Sequence, residues 1–229
     1  MLEELKSKVL KANINLVKNG LVLYTWGNVS QIDREVGLVV IKPSGVSYDE
    51  MTADDMVVVD LNGTVIQVKL NPSSDTPKHL ELYKKHSEIG GIVHTHSTYA
   101  TAFAQAGKGI PPYGTTHADY FYGEVPCTRI LQDREMSEYE KNTGKIINEA
   151  FKNKSVSAIP ACLVKNHGVF SWGKDADEAV YHATVLEEVA KMAFLTESLN
   201  GKAKRLPQYI SDKHYNRKHG KDAYYGQKK

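Results

Sequence analysis

The stretch GIVHTHSTYATAFAQA, residues 91–106, decides the fold. Ile92 to His96 is a short apolar run that reads as a strand, and Ser97 starts a small Ala-rich helix reaching about Ala106. Upstream, Thr76-Pro77 predicts a helix to about Glu88, with Thr76 as its cap and Pro77 at its first position; Gly90-Gly91 ends it. Val57–Asp60 and Val65–Val68 flank Leu61-Asn62-Gly63-Thr64, which predicts a hairpin with a tight primed turn at Asn-Gly. Val36–Ile41 is a further β-branched run, broken by Lys42-Pro43-Ser44-Gly45. Leu2, Leu5, Val9, Leu10, Leu16 and Val17 recur at helical spacing until Asn19-Gly20. Downstream, residues 107–114 carry three Gly and two Pro and predict a loop. A helix is expected around Glu135–Asn153, and Ala161–Lys165 reads as a strand closed by Asn166-His167-Gly168. Asp175 with Glu178 forms a capping-box pattern that opens the longest helix, to about Leu199, with Ala179, Ala183, Leu186, Ala190, Ala193 and Phe194 on one face. Strands and helices interleave without a repeat or a linker. This argues for a single α/β domain of α+β character over residues 1–229.

Composition narrows the function classes. The 229 residues include 41% hydrophobic and 24% charged side chains, which excludes a disordered chain, a coiled coil and a collagen-like repeat. With 29 Lys+Arg against 27 Asp+Glu, the net charge of +2 is too small to point to nucleic acid. No stretch approaches the roughly 18 apolar residues of a membrane span. The N-terminus reads as an amphipathic helix and not as a signal peptide. Two cysteines, Cys127 and Cys162, each in an apolar run, read as buried reduced thiols and favour a cytoplasmic setting.

The sharpest chemistry lies in His94-Thr95-His96. Alternate residues of a strand project from one face, so both imidazoles can meet one divalent ion. His167, at a strand end before Gly168, is a third donor, and three His with an open position suit a catalytic Zn²⁺. Spacing alone leaves the pair open between ligands and ordinary histidines, and leaves His117 as a rival third ligand. Asp75 reads first as a helix-start carboxylate and second as a fourth ligand or an orienting group. Gly27-Asn28-Val29-Ser30, Lys42-Pro43-Ser44-Gly45 and Ser73-Ser74 have anion-cradle chemistry, yet each taken singly reads as a turn. Neither GxxxxGK[ST] nor GxGxxG occurs, which argues against nucleotide binding. The C-terminal stretch holds His214, Tyr215, His219, Tyr224 and Tyr225, so it is expected to fold onto something, such as a neighbouring subunit.

TWGNVS (25–30), IKPSGV (41–46), SSDTPKHLELY (73–83), GIVHTHSTYA (91–100), TTHADYFYG (115–123) and VKNHGVF (164–170) together resemble the class II aldolase/adducin-like family, over nearly the whole chain. DKHYNRKHG (212–220) and AYYGQ (223–227) are similar to the branch that epimerises pentulose phosphates. The resemblance implies a central, mostly antiparallel sheet flanked by helices. It implies Zn²⁺, or Mn²⁺ or Co²⁺ in its place, on His94, His96 and His167, with Asp75 as the acidic residue at the metal. It implies a phosphate and substrate pocket of Asn28, Lys42, Ser44, Gly45, Ser73 and Ser74, a proton-transfer pair Asp119 and Tyr225, and secondary positions at Thr115, Glu140 and His214. It further implies a cyclic homotetramer with sites between subunits, and a segment of about 207–229 at the interface. The implied reaction interconverts L-ribulose 5-phosphate and D-xylulose 5-phosphate. A sugar-phosphate aldolase acting on L-fuculose or L-rhamnulose 1-phosphate and a non-catalytic adducin-like module are the alternatives.

Overall fold

The computed structural model describes residues 2–67 and 70–226. Helix α1 (Leu2–Lys18) opens the chain, with Glu3 and Glu4 in its first turn and Lys18 in its last, as the helix dipole favours. A seven-stranded sheet follows: β1 (Gly27–Asp33), β2 (Leu38–Ile41), β3 (Val57–Asp60), β4 (Val65–Gln67), β5 (Gly91–Thr95), β6 (Ala161–Leu163) and β7 (Val169–Gly173). Its strands run in the order β4-β3-β2-β1-β5-β7-β6, and every neighbouring pair is antiparallel. The remaining helices are α2 (Thr76–Lys85), α3 (Thr98–Gln105), α4 (Thr115–Ala118), α5 (Tyr139–Ala150), α6 (Ala176–Leu199) and α7 (Gln208–His219). The expected single α/β domain, with an antiparallel sheet flanked by helices, is the observed architecture.

Strand alternation divides the core between two faces. Val40, Val58 and Val93 pack with Leu5, Val9, Ala12 and Leu16 of α1 and with the first half of α6. Val39, Ile41, Val57, Val59 and Ile92 pack with Leu80, Leu82 and Tyr83 of α2 and Ile146 and Ile147 of α5. His94 follows Ile92 by two residues and therefore faces the α2–α5 side.

Several expectations need correction. Gly27–Ser30 is the start of β1, a central strand paired with β2 and β5, and not a turn. The loop between β3 and β4 is not a tight primed turn: of Asn62 and Gly63 only Gly63 has positive φ, +89°. The Asp60 carboxylate accepts from the backbone N–H of Asn62 and Thr64, at 2.8 and 2.9 Å, and organises a wider loop. Val68 of this hairpin, like Gln227 of the AYYGQ segment, lies outside the described residues. The cap of α2 is Asp75, one residue earlier than expected, which puts Pro77 at the second helical position. Asp175 does cap α6, accepting from Glu178 N at 2.8 Å, but the Glu178 carboxylate returns to Lys174 N. Phe194 is 49% exposed and leaves the buried face of α6. Both thiols are free; Cys162 is buried, whereas Cys127 is only half-buried. Among the described residues, no helix is long and apolar enough to cross a membrane.

Candidate metal centre and acid–base cluster

The α2–α5 side of the sheet carries a cluster of three imidazoles. His94 lies in β5, opposite Asn28 of β1 and Phe170 of β7, with its ring stacked on Phe170 at 4.4 Å. His96 stands just beyond the same strand. His167 sits in the turn from β6 to β7, after Asn166, whose φ of +61° makes the sharp bend; asparagine tolerates that left-handed conformation better than most residues. The ligand nitrogens of His94, His96 and His167 all lie within 4.8 Å of one another. His117 is not in this set: its Nε2–H donates to the Gly123 carbonyl at 2.6 Å. The third histidine is therefore His167.

The donor set fits a divalent metal. His94 Nδ1 lies 2.9 Å from the Val169 carbonyl, which can only accept, so Nδ1 carries the proton and Nε2 presents a lone pair. His94 Nε2 and His96 Nε2 converge to 3.1 Å. The second nitrogen of His167, Nδ1, is 3.1 Å from the Tyr139 hydroxyl. Burial pushes all three imidazoles toward neutrality, His94 to about 4 and His167 to about 3, with His96 lowered as well. Neutral imidazole is the ligating form. Gly168 completes the cradle: a Cβ there would stand 2.7 Å from both His96 Cδ2 and the Thr95 carbonyl, and 3.1 Å from His94 Cε1. Only glycine lets the β6–β7 turn approach β5 this closely.

Around the imidazoles lies a cavity of about 410 Å³ whose walls include Ser74, Asp75, Lys78, Tyr139, Glu140 and Trp26. Asn28 Nδ2 donates to Ser73 Oγ at 3.0 Å and to Asp75 Oδ2 at 2.7 Å, while the buried Asn28 Oδ1 has no protein partner. Burial alone would raise the Asp75 pKa, but neighbouring His94 and the Lys78 ammonium hold the carboxyl well below the usual range. The 42–45 and 71–73 loops are tied together by Ser44 N to Asn71 O, 2.9 Å, and Ser73 N to Lys42 O, 3.0 Å. Ser44 and Gly45 are exposed at this seam. Lys42 is buried, its Nζ donating to the Val46 and Pro43 carbonyls at 2.6 and 3.2 Å; burial lowers its pKa to about 8.

A second cluster gathers elsewhere. Asp119 follows α4 and accepts a bidentate pair from Arg217 of α7, at 3.0 and 2.7 Å. His214 Nδ1 lies 3.1 Å from the same carboxylate. Tyr225 is 61% exposed, beneath the Arg217 and Lys218 side chains at 5.0 and 4.3 Å. Thr115 opens α4 and is exposed. Burial raises the Asp119 pKa, yet the Arg217 and His214 hydrogen bonds overcome it and keep the carboxyl ionised. Asp119, His214 and Tyr225 are thus brought together, but none of them lines the cavity of the three histidines in the same chain. The C-terminal stretch does fold back, as α7. Lys78, Arg217 and Lys218 lie within quoted segments but were given no role there, and Tyr139 lies in none; burial and pairing single all four out.

Residues 7–194 match the model of the class II aldolase and adducin N-terminal domain family. The chain belongs to this family. Among solved structures it is similar to an L-fuculose 1-phosphate aldolase, at 28% identity and a TM-score of 0.80 over 93% of this chain and 95% of that one. It shares its fold with YgbL from Klebsiella pneumoniae, a candidate aldolase/epimerase/decarboxylase, at 23% identity and a TM-score of 0.74 over 93% and 98%. It does so too with an L-fuculose-1-phosphate aldolase from Thermus thermophilus, at 24% identity and a TM-score of 0.70 over 88% and 99%. Class II aldolases depend on a divalent metal, and the three-histidine cluster is a site able to bind one.

Proposed function

We propose that this class II aldolase-family protein interconverts L-ribulose 5-phosphate and D-xylulose 5-phosphate by breaking and re-forming the C3–C4 bond. The observation that carries the reading is the pairing of a neutral three-imidazole centre with a separate cluster of Asp119, His214 and Tyr225 on the same chain. The C4 hydrogen of such a substrate is not α to the C2 carbonyl, so its removal yields no stabilised carbanion. Cleaving C3–C4 does: the electron pair passes to C3 as an enediolate conjugated with C2, and the C4 hydroxyl proton leaves as the aldehyde forms. Rotation of the aldehyde fragment and re-addition to its other face invert C4.

His94, His96 and His167 would hold a divalent ion, with Asp75 beside it, and the ion would supply Lewis-acid stabilisation for the negative charge that develops on cleavage. Uncharged imidazoles leave the charge of the ion available to the substrate. Asn28, Ser73, Ser74, Ser44, Gly45 and Lys42 form the cradle for the phosphate on the aldehyde fragment and keep that fragment from escaping while it turns. Asp119 and Tyr225 serve the C4 oxygen, one on each face of the aldehyde, as base and acid; such help is worth about 10²–10⁴-fold. Because they lie away from the histidines of their own chain, they act at the metal centre of a neighbouring subunit. The reading therefore includes a homo-oligomer, a cyclic tetramer, with residues 207–229 at the interface. His214 orients Asp119, and Thr115 and Glu140 shape the approach to the two centres.

The test is a coupled assay for D-xylulose 5-phosphate from L-ribulose 5-phosphate, with and without chelator. Turnover that chelation abolishes supports the proposal. The likeness to an L-fuculose 1-phosphate aldolase favours a second reading, a sugar-phosphate aldolase. Net release of dihydroxyacetone phosphate from L-fuculose 1-phosphate, without epimerisation of the pentulose, would establish that reading and overturn the first.

A further inference from the structure

His94 and His167 are each steadied at Nδ1, but by unlike groups. The Val169 carbonyl, 2.9 Å from His94 Nδ1, can only accept. The Tyr139 hydroxyl, 3.1 Å from His167 Nδ1, can accept and donate at once. When His167 offers the lone pair of Nε2 to an ion, Nδ1 carries the ring proton. The hydroxyl then accepts from Nδ1–H and still holds its own proton, which a phenol keeps at neutral pH. Among the described residues that hydroxyl has no second protein partner within hydrogen-bond distance, and the Thr143 hydroxyl one turn on is committed to the Tyr139 carbonyl at 2.8 Å. Tyr139 begins α5 and lines the cavity of about 410 Å³ together with all three histidines. Its ring lies beside that of His167, with 6.1 Å between centres and 28° between planes, and Lys78 Nζ sits 5.3 Å from its centre. Packing thus fixes a phenol that has one proton to spare at the wall of the pocket.

We propose that Tyr139 is a further catalytic residue, whose O–H donates a hydrogen bond to the substrate oxygen on which negative charge collects when the carbon–carbon bond breaks. The proton stays on the phenol; Asp119 and Tyr225 keep the proton transfer at the C4 oxygen. A hydrogen bond to an ionised acceptor is roughly twice as strong as one to a neutral acceptor, so this donor favours the cleaved state over the bound sugar. Tyr139 comes from the same chain as the histidines and needs no neighbour. The inference rests on the metal-centre reading but not on which sugar phosphate is turned over, because an enediolate forms in an aldolase as well.

Glycolohydroxamate, a planar analogue of an enediolate with two adjacent oxygens, tests it by binding alone. Imidazole, which meets a metal through nitrogen and offers no oxygen, is the control. Both are titrated by calorimetry against Zn²⁺-saturated protein. Tyr139→Phe should weaken glycolohydroxamate by on the order of 10-fold and leave imidazole unchanged. If Tyr139 served only to support His167, the substitution would move both probes alike or neither, and either result would overturn the proposal. Wild-type crystals grown with Zn²⁺ and glycolohydroxamate decide the matter without a variant. A hydroxamate oxygen about 2.5–2.8 Å from Tyr139 Oη is expected, and no oxygen within hydrogen-bond distance would overturn the assignment. In turnover, Tyr139→Phe should lower kcat by about 10²–10³-fold, as loss of one such donor does. All these failures leave the metal centre standing, whereas wild-type protein that takes up no Zn²⁺ would overturn both.

Discussion

The two halves of the chemistry are built in different ways. The histidine centre is anchored in the sheet: His94 is fixed by the Val169 carbonyl and the Phe170 ring, and Gly168 lets the adjoining turn close over it. The Asp119 cluster is a display held by polar contacts between a one-turn helix and the C-terminal helix. One is a preformed pocket; in the other, Asp119 is buried in its pairing with Arg217 and only Tyr225 is offered outward. A divalent ion needs fixed, converging donors, whereas proton transfer to a neighbour's substrate needs groups on a surface. On the proposed reading, a single chain carries one complete centre and the complementary part of another.

That comparison can be broken at either end. His96→Asn should strip the metal and abolish turnover; full activity in metal-depleted His96→Asn would remove the Lewis-acid role. Tyr225→Phe should lower the rate by about 10²–10⁴-fold with normal metal content, measured by the coupled assay and metal analysis together. Mixing the two inactive variants should restore part of the activity, because a mixed oligomer contains sites with intact histidines facing an intact Tyr225. No recovery on mixing would place both groups in one subunit's site. Gly168→Ala should weaken metal binding by roughly 10–100-fold, as loss of a supporting contact does, without touching the Asp119 cluster.

The smallest effect concerns pH and the second cluster. Burial lowers the His117 pKa to about 4, against 6.5 for the free side chain. The folded state therefore resists a proton that the unfolded chain takes up below pH 6.5. His117 stabilises the fold fully above that pH, and this contribution is lost as pH falls toward 4. At pH 5 the loss is about 2 kcal/mol, a decrease of roughly 4–8 °C in the unfolding midpoint. His117→Gln apoprotein should show a flatter midpoint-against-pH curve than wild-type apoprotein in thermal unfolding.

Much of the scaffold was legible because its periodicities are clean. The buried stripe of α1, the strand-to-helix step at 91–106 and the capped α6 all follow from pattern and punctuation. β1 was not legible, because Asn28 and Ser30, on the same face of the sheet as His94, are polar residues that pattern reading assigns to turns; Asn28 bonds Asp75, and Ser30 bonds His79 and Tyr83. α7 was hidden for a related reason: its partners are Asp119, Tyr122 and Tyr120, so it lacks an apolar stripe. The HxH pair could be read from strand alternation, and His167 from its place before glycine. Lys78 could not, since a lysine in a first helical turn looks solvated until the fold buries it against Asp75.

Diffraction from crystals grown with Zn²⁺, recorded on both sides of the zinc absorption edge, tests the central claim most directly. The account predicts one anomalous peak per chain, about 2.0–2.1 Å from a nitrogen of each of His94, His96 and His167. No peak at that point, or an ion held by other residues with these rings turned away, would contradict it.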